Sequence, residues 1–596
     1  MGTVSTLSTI KPLVLMTVWL LSACSSAPKP VRVLTPEEQV KREPVFVSGP
    51  TQTPSPAFFK EASSSLGLAA QSATQLYAVD FNNDGYSDLA LLPEHYSIPK
   101  FFQYVPKAKT FVPIPSPFEE VLRASFLLFY DFDKDGVRDC IVGTLNQKTE
   151  LTRYPMRLFK GSMRKDRYVL KEVLGAIPIG IEPTASIIPL DFDLDGHLDL
   201  FFANWYRKED GKMVPRPDRL LKGKGLKFVD VSNLLGDEHK TSREQVKYPN
   251  ALPSFGASIC DIDQNGYPDI LVSNASGYPD KLWMSRKDSR RPAPFYSDVG
   301  KVSGFAQDRD GDFAPRGGGN SFYALCADYN DDGIMDIAKG ELFHSYDPES
   351  RDRSSILSGS TFDYPPKFIR TEYHRDDGSG NWSQGDRRGL WEDLNLDGHI
   401  DLIVENSGFP PKSRLVFFEQ QPNHSFEDKA AIYGLDLVNP SGSITLDWNR
   451  DGKPDLLVGQ NSLRTEAITP KVFAFENQFP TSYKHVKIFL RGKQSNVHGI
   501  GASISLHTDG GKQLRFVHES FGNLPSQNSE GTTFGFGTHQ PLKIEVKWPT
   551  LVKAKGGKLV PMTKTYSLKK YDFSKVKELT LCEGGKVYTG FRASCL

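Results

Sequence analysis

Cysteine is scarce in this chain, and neither sign of charge is in excess. Six cysteines in 596 residues are too few for a disulfide scaffold. Lys+Arg and Asp+Glu number 72 each, so the basic surplus that accompanies bulk nucleic-acid binding is missing. Hydrophobic residues make up 38% of the chain, which is enough to fill a core. We therefore expect a globular protein with no nucleic-acid partner.

Familiar catalytic motifs are also missing. The sequence contains no His-Glu-x-x-His, Gly-x-Ser-x-Gly or Gly-x-x-x-x-Gly-Lys-[Ser/Thr] pattern. None of the 12 histidines pairs with another at i+3 or i+4. The sequence therefore predicts no catalytic residue and no site for an organic cofactor.

The N-terminal segment has the pattern of an export signal. Lys11 precedes the apolar run 13–21, which is about half the length of a membrane-spanning helix. The run ends in Leu-Ser-Ala-Cys at 21–24, which resembles the lipobox of bacterial lipoproteins. The resemblance implies cleavage after residue 23 and a lipid on the sulfur of Cys24. It also implies sorting to the outer membrane of a Gram-negative bacterium, because the next residue, Ser25, is not acidic.

The alternative is an ordinary secretory signal with a chance cysteine. In both cases residues 1–23 are a signal peptide. Proline recurs through residues 24–56, where large apolar side chains are few. This composition predicts an extended tether between the lipid anchor and the folded part of the chain.

The pattern Asp-x-[Asp/Asn]-x-[Asp/Asn]-Gly-x-x-Asp recurs seven times in the middle of the chain. The copies lie roughly 61 residues apart, and self-similarity at such a long period indicates a repeat architecture. We number the copies loop 1 to loop 7 and the residues of each copy position 1 to position 9.

Each loop has the composition of a calcium site. Positions 1, 3, 5 and 9 carry side-chain oxygens, position 7 supplies a backbone carbonyl, and the glycine at position 6 permits the tight turn. Such an oxygen shell suits Ca²⁺ better than Mg²⁺, and the lack of Cys or His ligands argues against Zn²⁺ and copper. We predict up to seven Ca²⁺ ions. The candidate ligands are Asp80, Asn82, Asp84 and Asp88; Asp131, Asp133, Asp135 and Asp139; Asp191, Asp193, Asp195 and Asp199; Asp261, Asp263, Asn265 and Asp269; Asp328, Asn330, Asp332 and Asp336; Asp393, Asn395, Asp397 and Asp401; and Asp447, Asn449, Asp451 and Asp455.

Two other interpretations explain the loops less well. Turns rich in Asp, Asn and Gly without metal would explain one copy, but not the recurrence of carboxylates at matching offsets, where they repel unless an ion neutralises them. An EF-hand begins similarly but needs Glu at position 12 and flanking helices. Position 12 is never Glu here, and the flanks are short apolar runs that predict strands. The residues at position 12 are Leu91, Val142, Phe202, Val272, Lys339, Val404 and Val458.

The loops resemble the FG-GAP/VCBS repeat of integrin-α-like β-propellers over about residues 58–478. A second element recurs between loops, as in Phe426-Glu427-Asp428 followed by Gly434-Leu435. The resemblance implies a seven-bladed β-propeller over residues 57–479, a fold that closes its sheet edges into a ring. The similar segment around Phe58 precedes the first loop, and we expect it to complete the last blade.

The pattern changes after residue 480. Four stretches resemble the ASPIC/UnbV domain, which follows such repeats in cartilage acidic protein-like chains. They are Asn496-Val497-His498-Gly499-Ile500-Gly501-Ala502, Ser526-Gln527, Phe534-Gly535-Phe536-Gly537 and Trp548-Pro549. The usual Gly-Leu-Gly core is Gly-Phe-Gly here. We expect a small all-β domain over 480–550 and a β extension over 551–596. The overall fold class is therefore all-β, a seven-bladed β-propeller followed by a small all-β domain.

The cysteines divide into two expected groups. Cys582 and Cys595 lie in the C-terminal extension and form a disulfide if the protein is exported. Cys140, Cys260 and Cys326 lie in or beside apolar runs, so we expect them to be free, buried side chains.

Two functions compete on this sequence. The first is a non-enzymatic, Ca²⁺-binding adhesion or interaction module that is held on a membrane by its lipid and presents a face to a protein or a glycan outside the cytoplasm. The second is a polysaccharide-acting enzyme, or an accessory of one, built on a propeller scaffold. A cluster of Asp, Glu, His or Arg from outside the loops at the central channel would favour the second.

Overall fold

The computed structural model describes residues 46–47, 58–145, 155–180, 182–236, 251–287, 294–306, 319–343, 353–373, 384–480 and 482–595. The expected signal peptide, Cys24 and all of the tether except residues 46–47 lie outside the described residues. Where the chain is described, no helix is both long and apolar enough to cross a bilayer.

Strands dominate the structure. The strands up to residue 298 are β1 (Phe46–Val47), β2 (Phe59–Glu61), β3 (Gln75–Val79), β4 (Asp88–Leu92), β5 (Lys100–Val105), β6 (Thr110–Ile114), β7 (Phe126–Tyr130), β8 (Asp139–Gly143), β9 (Arg157–Arg164), β10 (Arg167–Glu172), β11 (Thr184–Leu190), β12 (Asp199–Asn204), β13 (Tyr206–Glu209), β14 (Lys212–Pro215), β15 (Arg219–Lys224), β16 (Lys227–Asp230), β17 (Ser254–Cys260), β18 (Asp269–Asn274), β19 (Lys281–Arg286) and β20 (Phe295–Asp298). The later strands are β21 (Ser321–Ala327), β22 (Asp336–Phe343), β23 (Ser355–Gly359), β24 (Phe368–Glu372), β25 (Gln384–Glu392), β26 (Asp401–Asn406), β27 (Leu415–Gln420), β28 (Phe426–Asp428), β29 (Pro440–Leu446), β30 (Asp455–Gln460), β31 (Phe473–Asn477), β32 (His485–Arg491), β33 (Ser503–Thr508), β34 (Lys512–Phe516), β35 (Thr532–Gly535), β36 (Pro541–Lys553), β37 (Leu559–Ser567), β38 (Glu578–Cys582) and β39 (Val587–Thr589). The described helices are a 3₁₀ turn at Ser232–Leu234 and the short helices α1 (Gly300–Ser303) and α2 (Ala430–Tyr433).

These strands form seven antiparallel blades, which confirms the all-β propeller class. In chain order the blades are β3–β6, β7–β10, β11 with β12, β15 and β16, β17–β20, β21–β24, β25–β28, and β29–β31 with β2. A hairpin of β13 and β14 projects from blade 3, and β1 adds to blade 6 beside β28 in parallel.

The last blade is closed by the N-terminal end of the ring, as the segment around Phe58 led us to expect. Strand β2 pairs antiparallel with β31, with Phe59 opposite Asn477. Phe59 is buried, and its ring lies 6.3 Å from that of Phe417 in blade 6 and 5.9 Å from that of Phe479. Closure therefore buries an aromatic side chain between two blades.

The first strand of several blades is apolar because it is covered on both faces. Every residue of Phe126–Tyr130 is buried, for example. Aromatic rings fill the spaces between blades: Phe81 stacks on Tyr168 at 5.0 Å, and Phe132 meets Phe228 edge-on at 5.7 Å. The abundance of phenylalanine in the sequence thus serves the packing between blades.

Two of the three strand cysteines are not free, which corrects the expectation. Cys260 ends β17 and Cys326 lies near the end of β21, and the two form a disulfide with a Cα–Cα distance of 6.2 Å. They pair because the first strands of neighbouring blades lie side by side at the centre of the ring. Cys140 is free and buried, as expected.

The C-terminal part is a β-sandwich. One sheet has the order β35-β32-β38-β39 and the other β34-β33-β36-β37. Ile488, Ile504, Phe534 and Trp548 are buried between them. Strands β37, β38 and β39, from the segment 551–596, complete both sheets, and Cys582 is bonded to Cys595.

Candidate functional site

All seven acidic loops connect the first strand of a blade to the second. In blade 2, for example, β7 ends at Tyr130 and β8 begins at Asp139, which is position 9 of the loop. Positions 4 and 6 of every loop have positive φ. Glycine meets this requirement at position 6, whereas position 4 carries side chains that rarely adopt it. The residues at position 4 are Asn83, Lys134, Leu194, Gln264, Asp331, Leu396 and Arg450, with φ between 54° and 63°.

The aspartate at position 1 shapes the turn. In loop 2 the Oδ2 atom of Asp131 accepts a hydrogen bond from the Gly136 amide at 2.9 Å, and its Oδ1 atom accepts one from the Asp135 amide at 3.1 Å. Position 5 then accepts from position 7, as Asp135 does from the Val137 amide at 2.9 Å. The bond from position 6 to position 1 and the bond from position 7 to position 5 recur in all seven loops.

The aspartate at position 9 has a different role. Both oxygens of Asp269 accept backbone hydrogen bonds, Oδ2 from Ile262 at 2.8 Å and Oδ1 from Ser285 in the third strand at 2.7 Å. The same pair of bonds occurs at position 9 of every loop. Position 9 thus ties the loop to the third strand of its blade without any ion.

Carboxylates converge where a metal would be held. In loops 2, 3 and 4, ligand atoms of positions 1, 3 and 9 all lie within 4.8 Å of one another. Loops 1, 5, 6 and 7 carry Asn at position 3, and its Oδ1 accepts the amide of position 5, as in Asn449 with Asp451 at 3.0 Å. Five loops each bury one carboxylate oxygen that has no hydrogen-bond partner, which is the deficiency a cation would satisfy. These atoms are Oδ1 of Asp133, Asp193, Asp261, Asp328 and Asp393.

Burial makes the ionised loops unfavourable. It raises the pKa of Asp80 and Asp261 to about 6, of Asp328 and Asp447 to about 7, and of Asp139 to about 8. Neighbouring carboxylates of the same loop raise these pKa values further, and backbone amides lower them. Without a bound cation, therefore, part of the acidic set holds protons near neutral pH.

Lysines neutralise three of the loops in part, and sequence reasoning missed them; in loop 4 the Nζ atom of Lys547 lies 3.4 Å from Oδ2 of Asp261. Lys160 contacts Asp133 and Asp135 in loop 2, and Lys222 contacts Asp193 and Asp195 in loop 3. Loops 2 and 3 are the two that carry aspartate at all four of positions 1, 3, 5 and 9. In blades 2 and 3 this lysine directly precedes the glycine whose amide donates to the aspartate at position 9. This Lys-Gly pair is a sequence signal that could have identified the lysines.

A further carboxylate joins loop 6. Glu419 in β27 accepts a hydrogen bond from Asn395 at 2.9 Å and another from Tyr433 at 2.6 Å. It lies outside the repeated pattern, so the spacing of the loops gave no indication of it. Loop 6 thus carries Glu419 beside Asp393, Asp397 and Asp401.

The fold and the loops define a β-propeller with acidic loops on one face and a C-terminal β-sandwich. Residues 393–458, which span loops 6 and 7, match the family described as FG-GAP-like repeat. Residues 492–575 match the family described as ASPIC and UnbV. The chain thus carries an FG-GAP-like repeat followed by an ASPIC/UnbV domain, the architecture that the sequence resemblance predicted.

Comparisons with whole proteins give no closer relationship. No curated protein matches the chain. Among solved structures, a rhamnogalacturonan lyase from Bacillus licheniformis is similar at 12% identity, covering 73% of this chain and 93% of that one, with a TM-score of 0.32. The V. cholerae biofilm matrix protein Bap1 is similar at 10% identity over 74% and 91% of the two chains, with a TM-score of 0.31. Since both TM-scores are low, we draw nothing further from these similarities.

Proposed function

We propose that this protein is a Ca²⁺-binding interaction module, lipid-anchored at Cys24 to the outer membrane, whose propeller presents a surface to an extracellular or periplasmic protein or glycan. The observation that carries the proposal is the buried carboxylate oxygen without a partner, found in five loops. Loops of this composition favour a hard cation with many oxygen ligands. FG-GAP repeats often bind calcium, which agrees with this chemistry.

The residues at positions 1, 3, 5 and 9 would hold the ion. When bound, Ca²⁺ supplies charge neutralisation, which allows several carboxylates to stay ionised at one point. The chain's own contribution is the turn: position 1 fixes the glycine amide, and position 9 binds the third strand. The oxygen most available to an ion belongs to position 3 in loops 2 and 3 and to position 1 in loops 4, 5 and 6.

Calcium should raise the thermal stability of the protein. An ion that binds only the folded state stabilises it by about 2.7 kcal/mol at 100 times its dissociation constant. We expect the melting temperature of the full mature chain to rise when 5 mM CaCl₂ replaces EGTA, and to rise much less with MgCl₂. Equal melting in CaCl₂ and EGTA would contradict the calcium proposal.

The lipid anchor has its own test. Cys24→Ser removes the only sulfur that the lipobox offers, so labelling of cells with a radioactive fatty acid should no longer mark the protein. The variant should also move from the membrane fraction to the soluble periplasmic fraction. Cys140→Ser, which changes a buried cysteine far along the chain, is the matched control. Persistent labelling of the Cys24 variant would refute the anchor.

The partner is to be found by binding rather than by activity. We expect the mature chain, immobilised through Cys24, to retain specific glycans on an array, or specific envelope proteins in a pull-down, in CaCl₂ but not in EGTA. Turnover of a retained polysaccharide would favour the enzymatic alternative.

A further inference from the structure

One segment of the ASPIC/UnbV domain, residues 519–530, lies among the first strands of the blades. The Gln527 amide donates to the Leu76 carbonyl at 3.0 Å, and the Gln527 carbonyl accepts from the Ala78 amide at 2.9 Å, both in β3. On the other side of the ring, the Gly522 amide donates to the Ala257 carbonyl in β17 at 2.8 Å. The first strands of the blades line the central channel of a propeller, so residues 519–530 occupy this channel. We call residues 519–530 the channel segment.

Side chains hold the channel segment in place. The side-chain amide of Gln527 accepts from the Phe129 amide at 2.9 Å and donates to the Phe129 carbonyl at 2.8 Å, as a neighbouring strand would. Arg388 in blade 6 donates to the carbonyls of Asn523 at 2.9 Å and Leu524 at 2.6 Å. Gln527 and Arg388 are both buried, so these bonds form away from solvent.

Loop 2 is joined directly to both ends of the channel segment. Arg138, at position 8 of loop 2, pairs with Glu519 at 2.8 Å and with Glu530 at 3.4 Å. All three side chains are largely buried, with exposed fractions of 8%, 5% and 14%. A shift of loop 2 would therefore separate charges that water cannot reach to solvate.

Other loops also meet the ASPIC/UnbV domain. Lys134 in loop 2 donates to the Gln494 carbonyl at 2.9 Å, and Lys547 donates to the carbonyl of Gln264 in loop 4 at 2.7 Å. In loop 6, Asp393 accepts from the Gly535 amide at 3.2 Å. In loop 7, Arg450 pairs with Glu578. The acidic face of the propeller is thus the surface on which the second domain docks.

We infer that cation binding in the acidic loops and docking of the ASPIC/UnbV domain into the propeller channel are coupled. The inference rests on the proposed calcium binding and adds that the ion-binding loops act on the ASPIC/UnbV domain of the same chain. Without a cation the carboxylates of each loop repel one another or take up protons, and the loops that hold Arg138, Gln264 and Asp393 relax. The channel segment then loses its ion pairs with Arg138, and Lys547 and Gly535 of the same domain lose their contacts with the loops. Because coupling between two binding events is reciprocal, weaker docking must also weaken calcium binding.

Hydrogen exchange of the full mature chain tests the first half of the coupling. Peptides that cover 519–530 should exchange at least tenfold faster in EGTA than in CaCl₂. Peptides from β36, in the centre of the second domain, should change less than twofold. Suppose that calcium raises the melting temperature but that peptides covering 519–530 exchange at the same rate in EGTA and in CaCl₂. This result would overturn the coupling and leave calcium binding intact. If calcium leaves melting unchanged, the proposed function fails, and the coupling fails with it.

A titration with CaCl₂ tests the reciprocal half. Gln527→Ala removes the side-chain bonds to blade 2 and should raise the calcium dissociation constant fivefold or more, within the range usual for coupled sites. Gln540→Ala, whose side chain is exposed in the same domain, should change it less than twofold. Ser526→Ala removes a smaller contact, with the Leu76 amide at 3.1 Å, and serves if the glutamine variant does not fold. Unchanged affinity in a folded channel-segment variant would refute the coupling.

Discussion

At the scale of single residues, the acidic positions of a loop are not equivalent. Position 9 accepts two backbone bonds and belongs to the blade, whereas position 3 tolerates Asn in loops 1, 5, 6 and 7. Their carboxylates look alike in the sequence, and only the hydrogen bonds separate a structural aspartate from one that is free to bind an ion. Loop 4 shows the contrast within seven residues: Asp263 accepts bonds from Asn265 of the same loop, whereas Asp269 accepts one from the third strand.

Substitutions in loop 4 should separate these two roles. Asp269→Asn turns an amide nitrogen toward a backbone N–H and leaves a buried donor without an acceptor, which costs about 1–3 kcal/mol. We expect this loss of unfolding free energy in both CaCl₂ and EGTA. Asp263→Asn should cost little in EGTA and reduce only the calcium-dependent part of the stability. Urea unfolding of both variants in the two buffers measures the difference, and identical behaviour of the pair would contradict it.

The raised pKa values of the loops predict how stability depends on pH. The folded pKa values of Asp80, Asp328 and Asp139 are about 6, 7 and 8, above the unfolded value of about 3.9. Between those values the folded state binds more protons than the unfolded state, so stability falls as pH rises through 6 to 8. In EGTA the melting temperature should therefore be higher at pH 6 than at pH 8. In CaCl₂ this trend should weaken or reverse, because the cation competes with protons. A trend that is the same in both buffers would argue against these assignments.

At the scale of elements, the ring is held closed by one three-residue strand. Strand β2 supplies the fourth strand of blade 7, and its single large apolar residue is Phe59. Closure therefore depends on Phe59 and the backbone bonds of β2, together with the Phe58 ring, 4.6 Å from that of Phe479, and the apolar cluster that includes Leu76 of blade 1 and Leu446 of blade 7.

Phe59→Ala should destabilise the ring disproportionately. Truncation of a buried phenylalanine costs about 3–5 kcal/mol, and loss of β2 would expose the edge of β31. We expect lower stability in urea and faster hydrogen exchange across β31. Lys60→Ala, at the exposed neighbour in the same strand, is the control and should behave as the unmodified protein. Similar losses of stability in Phe59→Ala and Lys60→Ala would show that the Phe59 side chain does not hold the ring closed.

The elements were predictable where the information is local. Spacing and composition predicted the loops, the strands on each side of them and the second all-β domain, and the resemblance to FG-GAP/VCBS repeats implied the seven blades. The disulfide between Cys260 and Cys326 was missed, because each cysteine lies in an apolar strand and only the ring makes the strands neighbours. The channel segment was missed for the same reason. Ser526 and Gln527 belong to the residues that resemble the ASPIC/UnbV domain, but the partners of the segment are distributed over the whole propeller.

At the scale of the whole molecule, the two domains share one interior. The channel segment places polar groups of the sandwich among the first strands of the blades, and Arg138 carries the connection to the loops. The channel at the acidic face is filled by the chain itself. If the proposed external partner exists, the blade edges and the opposite face are the surfaces left for it.

This shared interior should make unfolding cooperative. We expect calorimetry of the mature chain in CaCl₂ to show one transition rather than separate ones for the propeller and the sandwich, because neither can unfold without exposing buried charges of the other. Gln527→Ala should split or broaden that transition. Two resolved transitions in the unmodified protein would show that the domains are energetically independent.

The position of β2 also determines when the ring can close during biosynthesis. Phe59 must wait for Asn477, about 420 residues later, before the ring can close. At about 5–20 residues per second, a ribosome needs roughly 20–80 seconds to make that stretch. During this interval the incomplete propeller has open sheet edges, and the channel segment, residues 519–530, has not yet been synthesised. An exported chain of this design would therefore need chaperones to hold it until its last strands arrive.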